Sequence, residues 1–158
     1  MKENFIIRTA QNADAIELQD LYRNTVLEVN RRDYSQAEVE DWASCGDDVS
    51  HIEEMIETHY FIVAVNHQSR IVGFSSITPQ GYLHSMFVHK DFQGVGIATK
   101  LLEEIERYAA EKRISRITSE VSLTARPFFE KKGYVVEVEQ KRKANQLSLT
   151  NFWMVRDL

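Results

Sequence analysis

The sequence contains few of the residues that cross-link a chain or interrupt its regular structure. Its 158 residues include two prolines, six glycines and a single cysteine, Cys45. One cysteine excludes an internal disulfide and cannot form a cysteine zinc site alone, so we expect a reducing compartment and no metal centre. With so few prolines and glycines there is little room for linkers, which predicts one domain over residues 1–158.

Long apolar runs and an excess of positive charge are also missing. No stretch approaches the ~18 apolar residues that a membrane span requires, and Met1-Lys2-Glu3-Asn4 lacks the apolar run of a signal peptide. The formal net charge of -5 argues against a general affinity for nucleic acid or for an anionic membrane. We therefore expect a cytoplasmic protein with neither kind of partner.

Hydrophobic periodicity and turn residues predict the element order β-α-α-α-β-β-β-α-β-α-β-β. Two capping boxes, Ser35 with Glu38 and Ser50 with Glu53, mark helix starts. Short connections between residues 60 and 88 predict an antiparallel meander. The fold class is α+β, a mixed, mostly antiparallel sheet of about seven strands with helices packed on it. Strands are expected at 5–8, 60–65, 70–77, 82–88, 114–121, 134–139 and 147–155, and helices at 13–27, 35–43, 50–56, 94–113 and 124–132.

The segment from Phe87 to Ala98 contains the strongest functional signal. A strand enters a loop with glycines at positions 94 and 96, and the loop becomes the start of the longest helix. The first turn of a helix has backbone N–H groups without internal partners, and the macrodipole adds partial positive charge there. This pattern indicates an anion site, most simply for phosphate. A P-loop motif is absent, and Thr99 stands where a dinucleotide fingerprint needs a third glycine.

The spacing Gln93-x-x-Gly96-x-Ala98 resembles the Gln/Arg-x-x-Gly-x-Gly/Ala motif of the GCN5-related N-acetyltransferases (GNAT). The order of elements is similar to that family along the whole chain. The segment Asn30-Arg31-Arg32-Asp33-Tyr34-Ser35, followed by Trp42, resembles a bacterial branch of the family that has not been characterised. The segment from Ala125 to Tyr134 resembles the family's Ala-x-x-Phe-Tyr-x-x-x-Gly-Phe helix end.

The resemblance implies acetyl-coenzyme A as co-substrate, with no metal. It implies helices on both faces of the sheet and a splay between the strands at 82–88 and 115–121, in which the pantetheine arm pairs with backbone. An amine would attack the thioester directly, without a covalent enzyme intermediate, and a backbone N–H near Met86 and Phe87 would polarise its carbonyl. The implied cofactor-binding residues are Met86, Phe87, Val88, Gln93, Gly94, Val95, Gly96, Ile97, Ala98, Thr99, Ser122, Phe128 and Phe129.

A general base is needed, because only the free amine is a nucleophile. His84 is the first candidate, since a histidine titrates near neutral pH and strand alternation places it on one face with Tyr82, Met86 and Val88. Tyr82-Leu83-His84 is similar to the His-x-His of arylalkylamine acetyltransferases, with Tyr82 in place of the first His. Glu120 is a weaker candidate. Each of these side chains could equally be an ordinary strand residue.

Phe129 departs from the family pattern, where a tyrosine commonly protonates the departing thiolate. Phenylalanine has no donor. Either another group, such as Tyr134, Ser122 or water, supplies the proton, or coenzyme A leaves as thiolate. A third alternative is weak catalysis, or a non-catalytic sensor that only binds acetyl-coenzyme A.

The acceptor, a small-molecule or protein amine, is expected near residues 24–45, and dimers are common among relatives, so a homodimer remains open. The structural alternative for each substrate candidate is a role in the loop, the helix cap or the core. The substrate candidates are Asn30, Asp33, Tyr34, Trp42 and Tyr82.

Overall fold

The structure, a computed structural model, describes residues 4–158 and contains the helices and strands in the order that the sequence predicts. Two short 3-10 turns, at Asn12–Asp14 and Asn30–Arg32, were not predicted. The strands are β1 (Phe5–Thr9), β2 (Tyr60–Asn66), β3 (Ile71–Ile77), β4 (Leu83–Val88), β5 (Arg116–Ser122), β6 (Val135–Lys143) and β7 (Ser148–Asp157). The helices are α1 (Ala15–Glu28), α2 (Gln36–Ser44), α3 (Val49–Thr58), α4 (Ile97–Glu111) and α5 (Arg126–Lys131).

Helix α4 begins three residues later than the sequence predicts. Gly94 and Gly96 have φ values of 75° and 91°, in the left-handed region that an α-helix does not use. The glycines therefore belong to the loop before the helix, and Gly96 is the residue that caps it.

Strands β1 to β4 form one antiparallel sheet in the order β1-β2-β3-β4, which confirms the predicted meander. Strands β5, β7 and β6 form a second antiparallel group in the order β5-β7-β6. Strand β6 is longer than predicted, because its pairing with β7 continues to Lys143 opposite Ser148.

Helices cover both faces of the first sheet, as expected. The apolar stripe of α4, from Ile97 to Ala109, lies in a core cluster with residues of β2, β3, β5 and β7. Helices α1 and α3 pack in a second cluster with Phe61, Phe74 and their neighbours. The α+β class and the mostly antiparallel sheet are confirmed. Among residues 4–158 no helix is both long and apolar enough to cross a membrane.

Candidate active site

A wedge opens between β4 and β5. The strands approach each other at one end only, where Tyr82 and Thr118 form a parallel bridge and the Thr118 N–H donates to the Gly81 carbonyl at 3.0 Å. The Ser119 hydroxyl adds a bond to the Leu83 carbonyl at 2.8 Å. Beyond this point β4 pairs with β3 and β5 pairs with β7, but within the described chain the two strands form no further ladder. The facing edges are therefore free to pair with an extended ligand.

At the open end of the wedge, helix α4 presents unpaired backbone donors. Its first hydrogen bond runs from the Lys100 N–H to the Gly96 carbonyl, so the N–H groups of residues 96–99 have no partner within the helix. No side chain caps this end. A Cβ added at Gly94 or Gly96 would meet nothing within 4 Å, so the surface beside these donors is open to a ligand. These donors and the open surface beside them are the features that the predicted anion site requires.

The loop that leads to this seat, residues 89–96, is held from several sides. The Gln93 side-chain amide donates to the Val88 carbonyl at 2.7 Å, and the Thr25 hydroxyl of α1 donates to the same carbonyl at 3.1 Å. His89 is buried, and its ring nitrogens face the Arg70 guanidinium at 2.8 Å and the Asp91 N–H at 3.1 Å. Burial, followed by the Arg70 charge, lowers the pKa of His89, so the ring is neutral at pH 7.

A cavity of about 970 Å³ joins the wedge, the glycine loop and the helices on the other side of β4. It brings together most of the residues that the sequence predicts for cofactor and acceptor. Three predicted residues lie outside its lining. Val95 is 44% exposed on the loop, Asp33 is exposed beyond the 3-10 turn, and Tyr134 is buried elsewhere. The lining contains His84, Met86, Phe87, Val88, Gln93, Gly94, Gly96, Ile97, Ala98, Thr99, Ser122, Phe128, Phe129, Asn30, Tyr34, Trp42 and Tyr82.

The position of Tyr134 does not support its suggested role as proton donor. It is 3% exposed, and its hydroxyl donates to the Glu106 carboxylate of α4 at 2.8 Å. The same carboxylate pairs with Arg156. Burial, and then the bond to Glu106, raises the pKa of Tyr134 well above its ordinary value. Tyr134 therefore holds β6, β7 and α4 together, away from the cavity.

A bulge in β4 changes the surroundings of His84. Leu83 pairs with Ile77 and Ser85 pairs with Ser76, so His84 is the extra residue on its strand. The alternation that places His84 on one face with Met86 and Val88 does not continue through the bulge, and this part of the prediction is wrong. Bulges occur next to active sites because they redirect a side chain, and this one leaves His84 exposed to the cavity.

His84 lies between two other rings of the lining. Its ring centroid is 5.4 Å from that of His59 and 5.8 Å from that of Tyr82, both edge to face. The protein atoms around the cavity wall lower the pKa of His84, and the neighbouring His59 lowers it further. Burial also lowers the pKa of His59. Both imidazoles are consequently neutral at pH 7, the state in which a ring nitrogen can accept a proton.

The predicted acceptor residues Tyr34 and Trp42 both line the cavity, but the Tyr34 hydroxyl is already occupied. It donates to the Thr150 carbonyl at 2.6 Å and accepts from the Leu123 N–H at 2.9 Å. Tyr34 therefore joins the segment before α2 to β7 and to the end of β5. Its ring packs edge to face against Trp42.

Two lining residues that were not among the predicted site residues have a buried polar atom without a hydrogen-bond partner among the described residues. His59 follows α3, and its Nδ1 is buried without a hydrogen-bond partner among the described residues. Thr124 follows β5, and its hydroxyl is likewise buried and unpaired there. The sequence offers no local signal for either, since each is a single polar residue at the end of an element. No group of three or more metal-ligating residues occurs among residues 4–158.

The family model described as "Acetyltransferase (GNAT) domain" matches residues 30–155. The chain belongs to the GNAT acetyltransferase family, which confirms both the resemblance and the enzyme class that the sequence predicts.

Individual relatives agree with this assignment. The chain is 27% identical over 151 residues to "Uncharacterized N-acetyltransferase YafP" of Escherichia coli (strain K12), a match that covers 96% of this chain and 95% of that protein. Among solved structures, a GCN5-related N-acetyltransferase from Rhodopseudomonas palustris, also described as an aminotransferase of class II, has a TM-score of 0.95 at 25% identity and covers 100% and 98% of the two chains. The PaiA N-acetyltransferase of Thermoplasma acidophilum, solved in complex with coenzyme A, shares the fold with a TM-score of 0.80 at 18% identity, covering 98% and 99%.

Proposed function

We propose that the enzyme transfers an acetyl group from acetyl-coenzyme A to a primary amine by direct attack of the amine on the thioester. The observation that carries this proposal is the wedge between β4 and β5, which leads to the unpaired N–H groups at the start of α4. An extended arm with a diphosphate at one end fits this combination. A small anion alone would need only the helix end.

The residues present suit acetyl-coenzyme A in chemistry as well as shape. The N–H groups of residues 96–99 would bind the diphosphate, with help from the partial positive charge of the helix end. The free edges of β4 and β5 would pair with the amides of the pantetheine arm. A backbone N–H near Met86, just beyond the bulge, would stabilise negative charge that develops on the thioester oxygen.

His84 is the proposed general base. Its neutral ring would take a proton from the ammonium form of the acceptor, directly or through one water, and the free amine would then form the new N–C bond as the C–S bond breaks. Its exposure to the cavity and its contacts with His59 and Tyr82 give it a fixed position for this task. Burial and the charge of Glu120 raise the pKa of Tyr82 to about 12, so Tyr82 is a donor rather than a base.

Phe129 stands at the position where the family commonly has a tyrosine that protonates the departing sulfur. Phe129 is 2% exposed and packs edge to face against Phe128 and Tyr134. We propose that coenzyme A leaves as thiolate, because a thiol with an ordinary pKa of ~8.5 is an adequate leaving group. The second proton of the amine is lost to water as the amide forms, and the thiolate takes up a proton from water. The Thr124 hydroxyl, which has no partner among the described residues, is a further candidate for a hydrogen bond to that sulfur or to the pantetheine arm.

Thermal unfolding with and without acetyl-coenzyme A tests the proposal first. Ligand at about 100 times its dissociation constant should add about 2.7 kcal/mol of stability, a shift of roughly 5–10 °C. A domain without a coenzyme A site would show no shift. A thiol-release assay over a panel of amines then separates an enzyme from a sensor. Stabilisation without release above background for any amine would favour the sensor and contradict the acetyltransferase.

A further inference from the structure

Three half-buried aromatic side chains form one surface of the cavity, on the side away from α4. We call Tyr22 of α1, Trp42 of α2 and Phe87 of β4 the aromatic wall. The Phe87 ring centroid lies 5.1 Å from that of Tyr22 and 6.3 Å from that of Trp42. Phe87 was predicted to meet the pantetheine arm, but its ring lies among the helices that border the acceptor side.

The aromatic wall is apolar even where it contains a tyrosine. The Tyr22 hydroxyl donates to the Trp42 carbonyl at 2.8 Å, so it is occupied within the protein. Burial strongly raises the pKa of Tyr22, which keeps this side chain neutral. Behind the wall lie Phe61 and Phe74, which are 3% and 5% exposed. A ligand at this surface meets ring faces and edges rather than donors or charges.

The wall is also fixed in place before any ligand arrives. Gly46, at the end of α2, lies so close to Tyr22 that a Cβ there would be 2.6 Å from the ring. The Gln19 side chain holds this backbone by donating to the Gly46 carbonyl at 2.8 Å. A preorganised surface loses little side-chain entropy on binding, which favours rigid apolar ligands.

Charged residues of the lining lie on other elements. Glu54 is on α3, while Glu120 of β5 is engaged by Arg142 of β6 at 3.2 Å. Asp33, which the sequence suggested as an attraction for a cationic amine, lies outside the lining. A polyamine would therefore find no row of unpaired carboxylates along the aromatic wall.

The wall and the proposed base are a short distance apart. His84 and Phe87 are three residues apart on one strand, which corresponds to at most about 10 Å between their Cα atoms, since the bulge at His84 shortens the strand. We propose that the acceptor is a primary amine joined by a short chain to a flat apolar body, most simply an aromatic ring, and that the aromatic wall binds this body. This inference rests on the proposed function, because it assumes that the acetyl acceptor occupies this part of the cavity.

The first test compares three amines in the thiol-release assay: 2-phenylethylamine, ethylamine and spermidine. We expect a KM for 2-phenylethylamine at least about tenfold below those of the other two, because ring contacts and apolar burial contribute only there. Trp42→Ala should raise this KM about tenfold, Trp42→Phe should restore most of the loss, and the KM for acetyl-coenzyme A should not change.

Gly46→Ala gives an independent variant, because its Cβ would push the Tyr22 ring without removing any aromatic residue. We expect a raised KM for 2-phenylethylamine only. Ile16→Ala is the matched control, since Ile16 is an apolar residue, 60% exposed and outside the lining. A preference for spermidine, or equal effects of Trp42→Ala on all three amines, would overturn the inference while leaving acetyl transfer intact.

A binding measurement separates this inference from the proposed function. The chain has two tryptophans, so Trp153→Phe leaves Trp42 as the single fluorophore. Saturable quenching by 2-phenylethylamine, and none by spermidine, would support the aromatic wall. Quenching without thiol release from any amine would support the wall and contradict the acetyltransferase. Thiol release without quenching would support the acetyltransferase and contradict the aromatic wall.

Discussion

The side of the cavity that faces the proposed cofactor comes mainly from one stretch of chain, residues 84–99, whereas the acceptor side is assembled from α1, α2, α3 and the β6–β7 hairpin. On the cofactor side the key groups are backbone N–H donors and strand edges, which any suitable loop and helix start can supply. On the acceptor side they are side chains held by contacts between distant residues. The groups on the cofactor side thus come from one short segment, whereas the positions of the side chains on the acceptor side depend on long-range packing.

The largest expected effect comes from blocking the cofactor side. Gly96→Glu should reduce the affinity for acetyl-coenzyme A at least about 100-fold, because it adds a carboxylate beside the diphosphate seat at a position with φ of 91°. Isothermal titration with coenzyme A measures the loss. Ala110→Glu adds the same charge at the exposed far end of α4 and should bind normally. Undiminished binding by the Gly96 variant would contradict the anion seat.

An intermediate effect is expected at His84, where the two sides meet. His84→Ala should lower kcat about 100-fold near pH 7, the usual scale for loss of a general base. Because the surrounding protein atoms, and then His59, lower the pKa of His84, the wild-type base is neutral at pH 7. The deficit of the variant should shrink toward pH 10, where the amine loses its proton in solution. A pH–rate profile measures this, and identical profiles for the two proteins would remove His84 from the mechanism.

The smallest effect is expected at Asp41, a residue outside the cavity lining that holds a turn on the acceptor side. The Asp41 carboxylate of α2 accepts from the N–H groups of residues 145–147, at the turn between β6 and β7, at 2.9 to 3.0 Å. Asp41→Ala should raise the acceptor KM a few-fold and leave the KM for acetyl-coenzyme A unchanged. Hydrogen exchange at residues 145–147 should quicken, and Glu40→Ala, an exposed neighbour on the same helix, should change neither.

The same contact has a predictable pH dependence. Burial alone would raise the pKa of Asp41, but the three N–H donors outweigh it and hold the pKa below the ordinary value of 3.8. A carboxyl with a lowered pKa stabilises the fold above its unfolded pKa and loses that contribution as the pH falls through its folded pKa. The hydrogen bonds from the turn to the Asp41 carboxylate should therefore persist at pH 5 and weaken only below about pH 4. An undiminished protection factor at residues 145–147 at pH 2–3, that is, the intrinsic exchange rate divided by the observed rate at the same pH, would contradict this.

The sequence predicts the fold well, because its determinants, like those of the loop and helix start on the proposed cofactor side, are short-range. The meander follows from turn residues within the segment from 60 to 88, and the anion seat follows from Gly94 and Gly96 before a helix. The exact start of α4 was missed because the two glycines look like part of a helical stretch until their positive φ values are known.

The acceptor side was predicted less completely, because its determinants are long-range. Asp41 contacts residues more than 100 positions away. His59 meets His84 only because α3 ends beside the bulge of β4, and the bulge itself has no clear sequence signal. Tyr34 lines the cavity, and its bonds to β7 and to the end of β5 depend on the assembled sheet.

The narrow end of the wedge has a consequence for the spacing of the two strand groups. The groups meet beside Gly81, where a Cβ would lie 2.7 Å from the Arg116 carbonyl oxygen. A larger residue at position 81 would therefore have to push the strand groups apart at the place where they are joined. The width of the gap at its closed end depends in this way on the missing side chain at position 81, which lies outside the cavity lining.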